Sequence, residues 1–358
     1  MTTVARTCLL SVLLLSACAR GDKPAPADQP SSTAAKPAGE LVYVTNEDSR
    51  DLTVIDAATD SVVATIFVGT RPRGVKVSPD GRTVYVALSG SPKCPPTMPD
   101  AECEKLKSDP ALDGVAVVDV ATRKTIKTLP SGLDPETFDV SPDGTKLFIS
   151  NEAADSATIV DIASGKAVAN VKVGREPEGV TLTPDGKSVW ITGESDHNIT
   201  GIDVASGALL GSIDILSKRP RGIAFLPDGS RAYVTNEVGG TVSVVDMIAK
   251  RTIHQITMPP DARPMGIVVA ADGKRIYVTN GRGKTVSAID PATDSVTASV
   301  EVGTRPWGID LTADGKKLYT ANGPANTVTV VDVATLTVLK TIPVGSVPWG
   351  VAIGPAVP

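Results

Sequence analysis

The chain has 358 residues, of which 41% are hydrophobic, so it is long enough to build a substantial core. Its 35 basic and 40 acidic residues give a formal net charge of −5. Affinity for nucleic-acid phosphates requires concentrated positive charge, so this balance argues against a general polyanion binder and leaves only a local basic patch open. Aromatic residues make up 3% of the chain, so the three tryptophans must be placed individually.

The first eighteen residues have the pattern of a secretory signal. Arg6 supplies positive charge, and residues 8–15 form an apolar stretch that is too short to span a bilayer. The segment LSAC, which ends at Cys18, resembles the bacterial lipobox, in which the cysteine is acylated and becomes the first residue. Ordinary cleavage after a small-x-small triplet is the alternative. We expect a signal peptide over residues 1–17 and a lipid anchor at Cys18 that makes the membrane a partner.

Residues 18–40 are rich in Pro, Ala, Ser and Thr and show no hydrophobic period. Such a composition predicts a semi-extended tether that cannot bury a core. In the lipoproteins of Gram-negative cells that this segment resembles, the residue after the cysteine acts as a sorting signal. Ala19, which stands where an aspartate would retain the protein, implies an outer-membrane lipoprotein that faces the periplasm or the cell surface.

Two cysteines, Cys94 and Cys103, remain after the signal and the anchor. In an oxidising compartment they are expected to pair in a structural disulfide. A redox or metal role is the alternative, but two thiols without nearby histidines make a poor metal site. The chain also lacks a Cys-x-x-Cys-His segment for covalent haem attachment. We therefore expect neither a metal nor a cofactor.

A segment that reads Tyr-Val-Thr-Asn in its clearest copies recurs seven times along the chain. The copies begin at Tyr43, Tyr85, Phe148, Trp190, Tyr233, Tyr277 and Tyr319. The repeat period is about 42 residues, and one interval is longer by 21. Those extra residues lie between Tyr85 and Asp119, which predicts an insertion over about residues 89–113.

Each repeat divides into four short runs rich in strand-forming residues, which in the last repeat are residues 308–312, 317–320, 327–331 and 338–342. Asp-Gly pairs supply hairpin turns in which glycine adopts positive φ. Four strands at this period are typical of a propeller blade. A β-solenoid would need shorter coils, and a parallel sheet would need crossover helices. The sequence predicts an all-β, seven-bladed propeller over residues 41–358.

The two ends of the predicted propeller complement each other. The folded region opens with a second strand, residues 41–46, and closes with an innermost strand, residues 350–353. We expect the two ends to complete one blade, which removes exposed sheet edges.

An aspartate ends the third strand of every repeat, as Asp56 does in the first, and is expected to cap the following turn.

The repeated Tyr-Val-Thr-Asn and Ser-Pro-Asp-Gly segments resemble those of the YVTN β-propeller repeat proteins of microbial cell envelopes. The resemblance covers about residues 41–353. It implies the fold and leaves the activity open, because related propellers include binding proteins, surface proteins, lactonases and haem-carrying domains.

One face of the predicted propeller collects the Pro-x-Gly segments that begin the innermost strands. The residues that follow the prolines should ring the mouth of the central channel: Arg73, Glu136, Glu178, Arg221, Met265, Trp307 and Trp349. The residues that precede them add further charge to this face: Arg71, Asp134, Glu176, Arg219, Arg263 and Arg305, with Val347 in the last copy.

Two interpretations of this ring remain open. Its arginines suit carboxylate or phosphate recognition, or they pair with glutamates of neighbouring blades. Trp307 and Trp349, on adjacent blades, form either an aromatic wall of a site or a hydrophobic plug. The insertion would overhang this sector as a lid stapled by the disulfide.

Three functions fit such a face. The first, which we expect, is non-catalytic binding or scaffolding in the cell envelope, with a small anionic ligand, a peptide or an envelope protein as the partner. The second is a lactonase-like hydrolase in which Glu136 and Glu178 act as acid, base or metal ligands while Arg73 or Arg221 polarises a carbonyl. The third, single-stranded nucleic-acid binding through Trp and Arg, is opposed by the acidic total. No nucleophile elbow, phosphate loop or zinc motif is present.

Replacement of Cys18 by Ser should release the protein from membranes, because no later segment is apolar enough to hold it there. The test is fractionation of cells that express the wild-type or the Cys18→Ser chain. Retention of the variant in the membrane fraction would show that Cys18 is not the anchor.

Overall fold

The computed structural model of the chain describes residues 39–93, 98, 102 and 105–356. In these residues, seven antiparallel sheets of four strands each form the predicted all-β propeller. The signal segment, Cys18, almost all of the tether, Cys94 and Cys103 lie outside the described residues. The lipid anchor and the disulfide therefore stay predictions.

The strands follow one another in chain order through the blades. Blade 1 contains β1 (Glu40–Asn46), β2 (Asp51–Asp56) and β3 (Ser61–Phe67). Blade 2 contains β4 (Pro72–Val77), β5 (Thr83–Leu88), β6 (Gly114–Asp119) and β7 (Lys124–Leu129). Blade 3 contains β8 (Pro135–Val140), β9 (Lys146–Asn151), β10 (Ser156–Asp161) and β11 (Lys166–Lys172). Blade 4 contains β12 (Pro177–Leu182), β13 (Ser188–Gly193), β14 (Asn198–Asp203) and β15 (Leu209–Asp214).

Blade 5 contains β16 (Pro220–Phe225), β17 (Arg231–Asn236), β18 (Thr241–Asp246) and β19 (Arg251–Thr257). Blade 6 contains β20 (Pro264–Val269), β21 (Ile276–Asn280), β22 (Thr285–Asp290) and β23 (Ser295–Glu301). Blade 7 contains β24 (Pro306–Leu311), β25 (Lys317–Asn322), β26 (Thr327–Asp332) and β27 (Thr337–Pro343). The last strand, β28 (Pro348–Pro355), returns to blade 1. Short 3-10 turns cover Pro110–Leu112, Glu152–Ala154 and Gly323–Ala325.

The predicted closure is confirmed. Strand β28 pairs antiparallel with β1, with Tyr43 opposite Ala352, and becomes the innermost strand of blade 1. The predicted insertion is also confirmed, because β5 ends at Leu88 and β6 begins at Gly114. Within the described residues, no helix is both long and apolar enough to cross a membrane.

The hydrophobic core lies between the blades. The two middle strands of each blade are buried on both faces, because a neighbouring blade packs on each side. One cluster joins Leu52 and Val54 of blade 1 to Val84 and Val86 of blade 2. Outer strands such as β3 are largely exposed. Each repeat therefore contributes one side of two interfaces, one with each neighbouring blade.

The glycine of the Pro-x-Gly segments allows the innermost strands to crowd around the channel. A Cβ atom at Gly179 would lie 2.2 Å from the carbonyl oxygen of Arg221, and one at Gly266 would lie 2.3 Å from that of Trp307. No side chain fits at such distances, so these positions require glycine. The close approach brings the preceding residue of each strand to the channel mouth.

A hydroxyl at the third position of the Tyr-Val-Thr-Asn segment joins five of the seven blades to the next, whereas blades 2 and 7 carry Ala87 and Ala321 there. Thr235 Oγ1 donates a hydrogen bond of 2.6 Å to the carbonyl oxygen of Met265, in the next blade. The same bond recurs elsewhere in the propeller, from Thr45 to Arg73, Ser150 to Glu178, Thr192 to Arg221 and Thr279 to Trp307. In each case the acceptor belongs to the predicted ring residue. The hydroxyl thereby fixes the backbone that carries the candidate site.

Two further features of the repeat have local causes. The strand-end aspartates cap their turns as predicted, and Asp56 Oδ1 accepts from the N–H groups of Ala58 and Thr59. Trp190 is 3% exposed at the repeated aromatic position. A Cβ atom at Gly201 would lie 2.8 Å from its ring, so this glycine makes room for the larger indole.

Removal of one inter-blade hydroxyl should destabilise the propeller. We expect Thr235→Val to lower the free energy of unfolding by about 1–3 kcal/mol, because the buried carbonyl of Met265 loses its partner while the side-chain volume is kept. Chemical denaturation measures the change. Thr65→Val, the same substitution at an exposed position of β3, is the control and should change stability by less than about 0.5 kcal/mol. Equal effects of the two substitutions would contradict a role for the inter-blade bond.

Candidate functional site

The predicted shared face exists, and a repeated backbone bond builds it. The N–H of Glu237 donates to the carbonyl oxygen of Arg219 at 2.9 Å, and the N–H of Gly281 donates to that of Arg263 at 2.9 Å. In six blades the bond joins the residue after the second strand to the residue before the proline, and in blade 2 the N–H of Ser89 donates to Thr70, one residue earlier. The ring predicted from the sequence therefore lies against a second ring, formed by Glu47, Ser89, Glu152, Glu194, Glu237, Gly281 and Gly323.

This second ring was not predicted from the sequence. Its signal was present, because glutamate follows the asparagine of the repeat at Asn46-Glu47, Asn151-Glu152 and Asn236-Glu237. In a structure, these glutamates continue a buried strand into the channel mouth. In a sequence, a glutamate after a strand reads as an ordinary turn residue.

All seven residues that precede the prolines have positive φ, from 43° at Arg71 to 63° at Arg219. None of them is glycine, and the left-handed conformation costs an L-residue about 1–2 kcal/mol. At Val347, with a φ of 54°, the β-branched side chain makes this conformation especially unfavourable. Local strain therefore accumulates on the face that carries the candidate site.

The innermost strands enclose a channel cavity of about 180 Å³. Five of the seven predicted ring residues line it: Glu178, Arg221, Met265, Trp307 and Trp349. Arg73 and Glu136 lie next to it instead, 7% and 0% exposed. The structure thus brings the predicted ring together, with its charged members and Met265 largely covered by their neighbours and the two tryptophans half-buried.

Arg73 lies at the centre of four carboxylates. Its guanidinium forms a close ion pair with Glu136 of the next blade. It is also 3.8 Å from Glu47, 3.9 Å from Asp134 and 3.6 Å from Glu152. The predicted pairing between neighbouring blades is therefore present at this position. The carboxylates of Asp134, Glu136 and Glu152 are close enough together to bind a cation, and the Arg73 guanidinium already occupies that place.

Arg221 is the centre of a second cluster. It forms a close ion pair with Glu178 of the preceding blade and lies 3.2 Å from Glu194 and 3.0 Å from Glu237. Arg219 contacts Glu194 closely and lies 3.5 Å from Glu237. Burial opposes ionisation of Glu178, but the guanidiniums of Arg221 and Arg73 outweigh it and lower its pKa.

The base of the insertion is fastened to the same face. Arg71 Nη1 donates to the carbonyl oxygen of Ser91 at 2.5 Å. Lys93 Nζ lies 2.7 Å from a carboxylate oxygen of Glu47 and 2.6 Å from one of Asp48. The insertion of blade 2 therefore also contacts blade 1, on the side of the mouth where sequence analysis expected it.

The two tryptophans contact each other across adjacent blades. The ring centroids of Trp307 and Trp349 are 5.5 Å apart, with planes tilted by 35°. The guanidinium of Arg73 lies 5.3 Å from the Trp349 ring centre, and those of Arg221 and Arg305 lie 5.7 Å and 5.0 Å from that of Trp307. Both rings remain half-buried and line the cavity. Cation–π contacts thus connect the aromatic pair to both charged clusters.

Negative charge is in excess in these two clusters. Five cations, Arg71, Arg73, Lys93, Arg219 and Arg221, meet seven buried or half-buried carboxylates: Glu47, Asp134, Glu136, Glu152, Glu178, Glu194 and Glu237.

Two glutamates in these clusters have raised pKa values. Burial and the charge of Glu178 raise the pKa of Glu152 to about 7 and that of Glu194 to about 8. At neutral pH some of these carboxyl groups therefore keep a proton.

The opposite side of the mouth has a different character. Blades 6 and 7 carry Gly281 and Gly323 where blades 1, 3, 4 and 5 carry glutamate and blade 2 carries Ser89, and their pre-proline residues are Arg263 and Arg305. Among the described residues, neither arginine has a carboxylate within 4.0 Å. Met265 and Trp307 form the channel wall there. The mouth is thus divided into a paired, acidic sector on blades 1–5 and an apolar, basic sector on blades 6 and 7.

Two family models match parts of the chain, and both describe β-propellers. A seven-bladed β-propeller lactonase model matches residues 217–348, and a YNCE-like β-propeller model matches residues 101–184. The chain is thus a seven-bladed β-propeller by both its structure and these partial matches. Comparison with curated proteins gives no match.

Solved structures share the fold at low sequence identity. Hydrazine synthase of Kuenenia stuttgartiensis is 23% identical, with 78% of this chain and 89% of that one covered and a TM-score of 0.67. A proposed 6-phosphogluconolactonase of Bacteroides fragilis is 19% identical, with 91% and 100% covered and a TM-score of 0.73. Another from Bacteroides uniformis is 20% identical, with 88% and 100% covered and a TM-score of 0.71.

The raised pKa values predict that the propeller loses stability as the pH rises. Glu152 and Glu194 bind protons in the folded state up to about pH 7 and 8, whereas in the unfolded chain they release them near pH 4.3. The folded state holds more protons in between, so the free energy of unfolding falls from about pH 5 to about pH 8. Glu194→Gln should reduce that fall and leave the melting temperature at pH 8.5 about 2–4 °C above that of the wild type.

Thermal unfolding between pH 5.5 and 8.5 measures this effect. Glu301→Gln, at an exposed position of β23, serves as the control and should follow the wild-type profile. A wild-type profile that rises over this range, or a Glu194→Gln profile parallel to it, would contradict the assignment of a buried proton to Glu194.

Proposed function

We propose that this chain is a ligand-binding propeller of the bacterial cell envelope, which holds a small molecule at the channel mouth without changing it chemically. The carrying observation is the aromatic pair where blades 7 and 1 meet. Trp307 and Trp349 line an open cavity there, and the Arg305 guanidinium, which has no carboxylate partner among the described residues, lies 5.0 Å from the Trp307 ring centre. A half-buried aromatic pair next to an unpaired guanidinium offers both apolar area and charge to a ligand.

The residues that the catalytic alternative would use are engaged elsewhere. Glu136 and Glu178 each form a close ion pair with an arginine. A general acid or base needs a proton or a lone pair that is free near the working pH. Arg73 and Arg221, the candidates for polarising a carbonyl, are each surrounded by at least three carboxylates. The contacts of these four side chains fit a structural role at the mouth better than a catalytic one.

The envelope location rests on the sequence signals of residues 1–18 and on the tether, which lie outside the described residues. The contacts of Arg71 with Ser91 and of Lys93 with Glu47 hold the base of the insertion on the same face and support the proposed lid. A lid would help to shield a small ligand from water. Under this proposal the lipid anchor keeps the mouth near the membrane surface while the propeller carries the site.

Hydrolysis of a lactone is the second candidate, and two observations favour it. The seven-bladed lactonase model matches residues 217–348, which include Arg221 and Trp307. Glu152, with a pKa of about 7 and a side chain 29% exposed, is an accessible acid or base at the mouth. Under this alternative, the full chain hydrolyses glucono-δ-lactone or its 6-phosphate faster than buffer does, and Glu152→Gln removes the excess rate. A rate equal to that of buffer for both lactones would count against it.

Binding is tested by the molecules that the protein retains. The full chain is purified from envelope membranes of its native host, and small molecules are identified by mass spectrometry after denaturation. We expect a compound that wild-type protein retains and that the Trp307→Ala/Trp349→Ala variant retains at least about tenfold less, because each lost stacking contact weakens binding by about 1–3 kcal/mol.

Two comparisons make this result interpretable. The double variant should melt close to the wild type, because both rings are half-buried at the channel rather than part of the core. Trp190→Ala, which removes a buried ring between blades, should lower the melting temperature and keep the compound bound. Equal retention by the wild type and the double variant would place the site elsewhere, and unfolding of the double variant would make the pair a structural plug.

A further inference from the structure

We propose that the channel cavity selects a planar carboxylate, whose charged group binds the ammonium of Lys76 inside the channel while its ring lies against Trp307 and Trp349. This assignment rests on the proposed ligand-binding function and names the class of molecule that the site would bind. It also adds a residue that neither ring at the mouth contains, because Lys76 lies three residues further along β4 than Arg73.

Lys76 and the aromatic pair belong to one site, because the same cavity is lined by all three residues. Their strands are in direct contact. A Cβ atom at Gly350, next to Trp349, would lie 3.0 Å from Cγ1 of Val75 on β4. The guanidinium of Arg73, on the same strand, is 5.3 Å from the Trp349 ring centre, and three residues of extended strand from Arg73 to Lys76 cover about 10 Å. A ring with a short arm therefore spans the distance from the aromatic wall to the ammonium.

The charge of Lys76 is available to a ligand in the cavity. Three charged residues line it among the described part of the chain, and two of them, Glu178 and Arg221, form a close ion pair with each other. The third is Lys76, whose side chain is 41% exposed. Strand β4 pairs with β5 and packs between β28 and β8, which leaves the channel as its open side.

The carboxylates near Lys76 do not use up its hydrogen-bond donors. Lys76 Nζ lies 3.4 Å from Oδ1 of Asp139, whereas a charge-assisted hydrogen bond is about 2.8 Å long. Both oxygens of Asp139, and both of Asp310 in blade 7, already accept from backbone N–H groups. An ammonium has three N–H donors, so a ligand carboxylate can bind Lys76 without displacing Asp139. The Asp139 charge raises the pKa of Lys76 above its ordinary value, which keeps the ammonium protonated at neutral pH.

The residues at the depth of Lys76 favour a single negative charge. The fourth residues after the prolines form a deeper ring: Lys76, Asp139, Thr181, Ala224, Val268, Asp310 and Ala352. Lys76 is the one cation of this ring, and Ala352, on the neighbouring strand β28, presents only a methyl group beside it. One lysine matches a carboxylate, whereas recognition of a phosphate uses several donors or a guanidinium.

The size of the cavity sets the rest of the ligand. Its volume of about 180 Å³ is comparable with an apolar cavity of about 150 Å³ that binds benzene. Trp307 and Trp349, with ring centroids 5.5 Å apart, form one wall, and Met265 extends it. A single planar ring therefore fits between this wall and Lys76.

Two probes of the same shape test the proposal by titration calorimetry of the full chain in detergent. 3-Phenylpropanoate carries a ring and a carboxylate on a short arm, and 3-phenylpropanamide replaces the carboxylate with a neutral amide. At neutral pH the carboxylate should bind wild-type protein at least about tenfold more tightly than the amide, because a hydrogen bond between charged groups is worth at least that factor.

Variants assign the carboxylate to Lys76. Lys76→Met keeps the length of the side chain without its charge. It should weaken 3-phenylpropanoate at least about tenfold and change 3-phenylpropanamide by less than about twofold. Asp139→Asn keeps an oxygen for the N–H of Leu182 and removes the competing charge, so it should strengthen 3-phenylpropanoate several-fold. Lys124→Met, at an exposed position of β7, is the matched control and should bind like the wild type.

The compound that the native protein retains separates this assignment from the binding function itself. We expect that compound to contain a carboxylate and Lys76→Met to retain at least about tenfold less of it than the wild type. If Lys76→Met retains it fully while the Trp307→Ala/Trp349→Ala variant does not, the binding function stands and Lys76 is not the anchor. If wild-type protein binds the amide as tightly as the carboxylate, or binds neither, the carboxylate class is wrong. The comparison of probes on wild-type protein remains decisive even if a variant does not fold.

Discussion

The hydrogen bond from the repeat hydroxyl to the next blade, which five of the seven blades make, is the interaction on which most of the ring at the channel mouth depends. It joins the second strand of one blade to the carbonyl of the ring residue in the next, as between Thr235 and Met265 or Thr45 and Arg73. Because the bond uses the backbone of the ring residue, it holds that position whatever the side chain is. Fold and site are therefore decoupled at the channel mouth.

That decoupling explains how one repeat carries such different residues at equivalent positions. Arginine, glutamate, methionine and tryptophan all occupy the ring without change in strand register. The glycine two positions after the proline keeps the strands close in all blades but blade 3, where Thr137 stands instead. A face built in this way can specialise sector by sector, and here one sector became acidic and another apolar and basic.

The acidic sector also shows the cost of concentrating charge in a closed ring. Arg73 and Arg221 are each shared among several carboxylates, and the uncompensated charge is absorbed by the protonation of Glu152 and Glu194. Positive φ at each pre-proline residue adds strain on the same face. Both costs are offset by the packing between blades, which buries the middle strands completely. The stable part of the molecule thus lies around the site rather than in it.

The sequence by itself determined the fold, the closure of the ring by both chain ends, the position of the insertion and the seven residues of the first ring. It could do so because the period of about 42 residues, the aromatic-to-aspartate spacing and the Pro-x-Gly segments are local patterns that repeat. Only the tertiary structure decided which charges meet. Glu47, Glu152, Glu194 and Glu237 reach Arg73 and Arg221 because the inner ends of neighbouring blades converge at the channel. Whether an arginine such as Arg305 stays unpaired depends on that convergence rather than on its neighbours in the chain.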